Sequence, residues 1–370
     1  MKGRGEHIST RGFTLLELMI ATAIFVVIGG AALALFAQHQ PLFTRQQNLA
    51  GLNIAIRNAV AQVQLDVINA GNGYYTGANI PDWPVGITIV NSNPGTGCNT
   101  ASTFTYSATC FDQLNIISAD PNTPASHPDN GTFTGNITTD CILTTSSPIY
   151  LSTSTGTLAA ATALAANFKA NDELLLVDAV NSSITTISLT AAGSTYTSGG
   201  VSGVKLIFNT TNANGTNTTT NDPLSVSTNA LNPKLNVNYC ADDWVLRLQP
   251  VTYQVSTANP ADPQLVRVQA GVTSVLADQV IGFKVGAAAW NVTDDTIPYS
   301  YNASAAFTAT PPGYNNQFWL IRSVQISLIA RTTPVTDPTY TYRNGFDTGP
   351  YQIESVMVVV NPRNMTMNNN

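Results

Sequence analysis

No Asp, Lys or Arg lies between Gly12 and Thr44, and that stretch holds a single Glu, Glu17, near the start of an apolar run ending at Phe36. From Phe13 to Phe36 a helix rising about 1.5 Å per residue spans roughly 36 Å, enough to cross a hydrocarbon core of about 30 Å. Lys2, Arg4 and Arg11 precede the run and no equivalent basic cluster follows it. The start is therefore expected on the cytoplasmic side and everything after Phe36 on the exported side. A secretory signal has the same ingredients, including small residues of the kind found from Ala31 to Ala37. Glu17 separates the two readings, because a carboxylate inside lipid costs about 2.5 to 3.5 kcal/mol and implies a partner.

Composition agrees with an exported chain. Only 10% of the 370 residues are charged, against about 25% in ordinary soluble domains. The 44% hydrophobic content is enough for one large core or two smaller ones. Residues 1–12 contribute +2 (Lys2, Arg4 and Arg11 against Glu6), so a net charge of −6 becomes −8 for the remainder. With no basic patch to neutralise phosphates, nucleic-acid binding is excluded.

The segment "GFTLLELMIA" (Gly12 to Ala21) behind a short basic leader resembles the cleavage and methylation signature of type IV prepilins and of the pseudopilins of type II secretion. The resemblance implies processing by a prepilin peptidase after Gly12 and N-methylation of the new terminus, Phe13. It also implies the missing partner: Glu17 pairs with the Phe13 amine of a neighbouring subunit during filament assembly, where opposite charges in low dielectric gain more from each other than from lipid. The implied partners are other pilins or pseudopilins, engaged through the N-terminal helix, the peptidase, and an inner-membrane assembly platform. Expected localisation is a single-pass inner-membrane anchor with a periplasmic head, then a pilus or cell surface.

Beyond the apolar run, Leu49, Leu52, Ile56, Val60, Val63 and Val67 recur every three or four residues, drawing a stripe that should pack on a head. Arg57, Gln64 and Asp66 fall off it. Gly71 is the expected stop. Gly29, Gly30 and Pro41 lie between the halves, and Pro41, which lacks an amide donor, predicts a kink or a melted turn unless it marks the membrane exit.

After Gly71 the pattern turns to β. Runs at Glu173 to Thr190, Val204 to Asn209, Trp244 to Ser256 and Leu265 to Ala270 are β-branched and separated by Asn, Ser, Pro and Gly. "SVQISLIART" alternates, with Val324, Ile326 and Leu328 on one face and Ser323, Gln325 and Ser327 on the other. Ile353 to Asn364 would be the last strand. The expected fold class is α+β: a long N-terminal helix, transmembrane then amphipathic, packed on a mostly antiparallel sheet. The expected divisions are a leader at 1–12, the helix at 13–71, an Asn/Thr/Gly-rich β segment at 72–240 and a C-terminal sheet region at 241–370.

"YQVSTANPADPQLVRVQAGVTSVLADQVIGFKVGAA", then "WLIRSVQISLIART" and "NPRN", together with the helix segment "LNIAIRNAVAQVQLDVINAGN", resemble PilW-type minor pilins. The J-type pseudopilin of type II secretion is the alternative, and a pilus-mounted adhesin is a third reading, suggested by the long 72–240 segment. That segment contains the polar tract Asn209 to Asp222, read as an exposed loop.

Cys98, Cys110, Cys141 and Cys240 all follow the apolar run, as disulfides in an oxidising compartment would. Three connectivities are possible. Cys98 with Cys110 and Cys141 with Cys240 is favoured, because a short loop is a common staple. No C-x-x-C pair points to zinc. Among His7, His39 and His127 only the last sits where exported chemistry could use it, and no nucleophile elbow, metal helix or phosphate loop is present. Asp120 to Gly131 is rich in oxygen ligands but lacks EF-hand spacing. The expectation is a chain that is not an enzyme and has no cofactor or metal.

Overall fold

The structure is a computed structural model describing residues 14–72, 86–92, 98–100, 102–143, 147–178, 183–208, 238–269, 271–289, 299–300, 321–335 and 340–363. The Asn209 to Asp222 tract lies outside the described residues. The chain divides into two compact units, Met1–Asn53 and Ile54–Asn370.

In the first unit the helix α1 (Leu15–Ile68) begins. Leu15, Phe25, Val27, Leu33 and Phe36 are all at least two-thirds exposed, so this part is apolar around its surface. No turn is melted: helix continues without interruption past Gly29, Gly30 and Pro41.

In the second unit the stripe does what its spacing predicts. Ile56, Val60, Val63 and Val67 are buried, and Ala59 and Ala70 join them. Asp66, off the stripe in the sequence, turns out to be a fastening. Its Oδ2 accepts the Tyr253 hydroxyl at 2.5 Å and the Arg267 Nε–H at 2.8 Å. Gly71 ends the helix with φ +70° and donates its N–H to Ile117 O at 2.8 Å. Gly86 passes so close that a Cβ there would lie 2.6 Å from Gly71 N, which explains the absence of a side chain.

Among the described residues, strands of three or more residues are β1 (Ile87–Val90), β2 (Gln113–Ala119), β3 (Ile149–Leu151), β4 (Glu173–Asp178), β5 (Ser183–Ser188), β6 (Ser194–Ser198) and β7 (Val201–Leu206). They continue with β8 (Trp244–Ser256), β9 (Gln264–Gln269), β10 (Val272–Ala277), β11 (Val280–Ala289), β12 (Ile321–Arg331) and β13 (Ile353–Val360). A short helix, α2 (Leu158–Ala165), interrupts the segment expected to be β-rich. Thr157 caps it by accepting the Ala160 N–H, and Ala and Leu propagate it.

The largest sheet runs β1-β2-β8-β9-β10, with β4 also on β8 and β5 on β4. The stretch Glu173 to Thr190 thus folds back on itself, Glu173 opposite Ser188 and Asp178 opposite Ser183. A second sheet runs β6-β7-β3 and ends on the pair Pro128–Asp129, and a third contains β11-β12-β13. All these pairings are antiparallel. Ile149, Leu151, Val204 and Leu206 of the second sheet share one core cluster with Leu164, Phe168, Leu174, Leu176 and Ile187. On β12 the predicted inner face is fully buried at Val324, Ile326 and Leu328, but Gln325 of the opposite face is buried too.

β8 changes neighbour along its length. Along one edge it pairs with β4 from Trp244 to Arg247 and then with β9 from Val251 to Ser256, while β2 runs along the other edge from Leu248 to Tyr253, its ladder continuing in the Asp120 N–H bond to Arg247 O. Arg247 is flanked by both β2 and β4, and its guanidinium reaches one strand end on each edge. Nη1 meets Asp120, just after β2, at 2.5 Å, while Nε meets Asp172, just before β4, at 2.8 Å. Arg331, almost wholly buried, makes a comparable knot by donating to Gln279 Oε1, Phe104 O and Ala261 O.

Arg247→Ala would leave two largely buried carboxylates uncompensated, and about 3 kcal/mol of stability should be lost. Arg247→Lys, which can satisfy one carboxylate but not both, should lose less. Denaturant unfolding of the detergent-solubilised chain, followed by tryptophan fluorescence, checks both. A loss below about 1 kcal/mol for the alanine variant would contradict the role given to Arg247.

Candidate functional site

The head of α1 is a capping box. Thr14 Oγ1 accepts the Glu17 N–H at 3.2 Å, and Glu17 Oε2 accepts the Thr14 N–H and the Thr14 hydroxyl, each at 2.9 Å. Such reciprocal bonds satisfy donors that a helix start otherwise leaves open. The carboxylate also sits at the end where the helix dipole favours negative charge. Both bonds from Thr14 end on Oε2, so Oε1 can take a second donor. Further along, the Thr22 hydroxyl donates to Leu18 O at 3.0 Å, which hides that polar group within the helix.

Glu17 therefore has a partner inside its own chain, which the sequence reading did not identify. The signal was present in "TLLE", a Thr and a Glu three residues apart ahead of an apolar run. Gly12 and Phe13 lie outside the described residues. The helix that follows is long and apolar enough to cross a membrane, with mean hydropathy 2.5 over its best window.

The other candidates sit in the second unit. Cys98 is bonded to Cys110 and Cys141 to Cys240, so all four sulfurs are committed to disulfides. His127 Nδ1 lies 2.8 Å from Asp243 O, and its ring packs on Trp244 with centroids 4.3 Å apart. In the oxygen-rich loop, Asp120 is taken up by Arg247 and by the Thr123 hydroxyl at 2.7 Å. Asp243, 4% exposed, accepts the Cys240 N–H at 2.7 Å. Burial pushes its carboxyl up to about 7, with the charges of Asp178 and Asp242 adding to the rise against the Cys240 hydrogen bond.

Residues 9–33 match the prokaryotic N-terminal methylation motif, a span that includes Gly12, Phe13 and Glu17. No curated protein sequence matches the chain. Among solved structures, a type IV-like pilin from Thermus thermophilus overlaps 32% of this chain and 66% of its own, with 10% identity and a TM-score of 0.18. The motif overlaps the start of a 54-residue helix that ends on antiparallel sheets, an α+β arrangement.

Thr14→Val keeps the shape but removes the cap, at a cost of about 1 kcal/mol. Amide exchange at the first turn of α1 should then rise by about fivefold in micelles, while Thr14→Ser should change little. At Asp243 the folded-state value exceeds the unfolded one of about 3.9. Its contribution is thus complete below about pH 4 and is lost as pH rises through about 7. Asp243→Asn should melt higher than the parent at about pH 8 and lose that advantage below about pH 4, as thermal scans at both pH values would show.

Proposed function

We propose that this chain is a PilW-type minor pilin of a type IV pilus. Prepilin peptidase removes residues 1–12 after Gly12, and Phe13 is N-methylated. The apolar part of α1 holds the subunit in the inner membrane with its head in the periplasm. Assembly brings Glu17 against the Phe13 amine of a neighbouring subunit. The observation that carries this reading is the methylation motif at residues 9–33, running into the apolar first part of α1, whose single carboxylate sits in a capping box. The role is structural, and no catalytic step is assigned to the chain.

Two measurements test it. Mass spectrometry of the mature protein should find an N-terminus at Phe13 carrying one methyl group, and a chain starting at Met1 or near Gln38 would overturn the proposal. Glu17→Gln is the sharper variant, because glutamine can still close the capping box while the charge is gone. It should be inserted and cleaved normally yet enter filaments at least about tenfold less well, for want of the ion pair. Normal incorporation would remove the assembly role of Glu17. Co-purification with type II secretion components in place of pilus components would move the chain to the J-type pseudopilins.

A further inference from the structure

The second sheet has an outward face that its core role does not explain. Val204, Leu206, Ile149 and Leu151 point into the core cluster. Tyr196, which pairs with Gly203, and Tyr150, which pairs with Lys205, alternate with those positions and lie on the other face. Their rings are 4.6 Å apart, centroid to centroid, and Phe133 stands 6.3 Å from Tyr150 and 6.1 Å from Tyr196. Gly203 makes room for this trio, since a Cβ there would lie 2.4 Å from the Phe133 ring. Tyr196 is 37% exposed.

Phe133 is held in place from beneath. Its φ is +55°, a conformation that costs an aromatic residue energy. The Asp129 carboxylate supports it: Oδ1 accepts the Gly131 N–H at 2.6 Å and the Phe133 N–H at 3.1 Å. Asp129 is 1% exposed. Both of those bonds fall on Oδ1, and Asp129 with Phe133 also lines a cavity of about 800 Å³. Thr153, Thr155, Thr157 and Ser202 supply hydroxyls to the same wall, which has no lysine or arginine among its described residues.

We propose that this cavity and the aromatic platform beside it bind a neutral saccharide. A pyranose offers C–H faces that stack on rings and hydroxyls that both donate and accept, the combination the site presents. A purely apolar ligand would leave unused the accepting capacity that the wall's hydroxyls keep beyond their bonds within the chain. A phosphate or sulfate would face the Asp129 charge with no cation in the wall to offset it. The volume falls in the range of about 300 to 1,000 Å³ typical of small-ligand sites. This binding is independent of the assembly reading, because none of its residues belongs to α1.

The test uses the full chain in a detergent without a sugar headgroup. Maltotriose, cellotriose and triacetylchitotriose are each titrated by saturation-transfer NMR. At least one should bind with Kd of about 1 mM or tighter. Tyr196→Ala, an exposed substitution that spares the core, should weaken that binding by at least about tenfold. Tyr342→Ala, at an exposed tyrosine outside the sheet, should leave it unchanged. Glu17→Gln should bind as the parent does, which separates this proposal from the assembly role. Failure of all three saccharides to bind at about 1 mM, or unchanged affinity in Tyr196→Ala, would overturn it.

Discussion

A strand of 13 residues with neighbours on both edges needs something to fix where each one stops, and Arg247 does so here. β8 is the hub of the largest sheet, receiving β2 on one edge and β4, then β9, on the other. Ladder hydrogen bonds alone do not say where β2 should end or β4 begin, because every strand residue offers the same backbone groups. A planar guanidinium with several donors in a fixed fork can bind both carboxylates at once, and that pins Asp120 and Asp172 on the two edges of β8. The strands on each side of residue 240 are thereby fastened into one sheet, with β1, β2, β4 and β5 coming from before it and β8, β9 and β10 from after it.

The second half of α1 depends on that sheet in turn. Its buried stripe is non-directional and would tolerate some sliding, whereas the Asp66 bonds to Tyr253 and Arg267 are directional. Burial comes first for Tyr253, raising its hydroxyl pKa, and the Asp66 bond raises it further, so the hydroxyl remains a donor. Apolar area thus supplies most of the attachment and a charge-assisted bond sets the register.

How much of this was legible beforehand follows the physics of each element. The apolar run, the methylation signature, the helical stripe and the long strand Trp244–Ser256 are local patterns, and each is present where its period placed it. Asp66 was visible only as a residue off the stripe, because its partners are about 190 to 200 residues away in the chain. The neighbours of β8 were illegible for the same reason, since a strand's sequence does not name them. α2 was overlooked although Thr157 and the alanines after it are local signals; the surrounding Thr and Ser obscured them. The trio of Phe133, Tyr150 and Tyr196 comes together only through pairing, and the glycine that admits it, Gly203, looks ordinary in sequence.

The Cys141–Cys240 bond spans 99 positions and encloses α2 together with β3 to β7. Topologically that part of the molecule is a ring and not a length of thread. A single cut by an extracellular protease inside the ring would open it without releasing a fragment, since both new ends stay tethered through the sulfurs. The cut also leaves untouched the remainder of the route from α1 to β13, so pulling force applied at the two ends of the molecule would pass across the disulfide and bypass the excursion entirely.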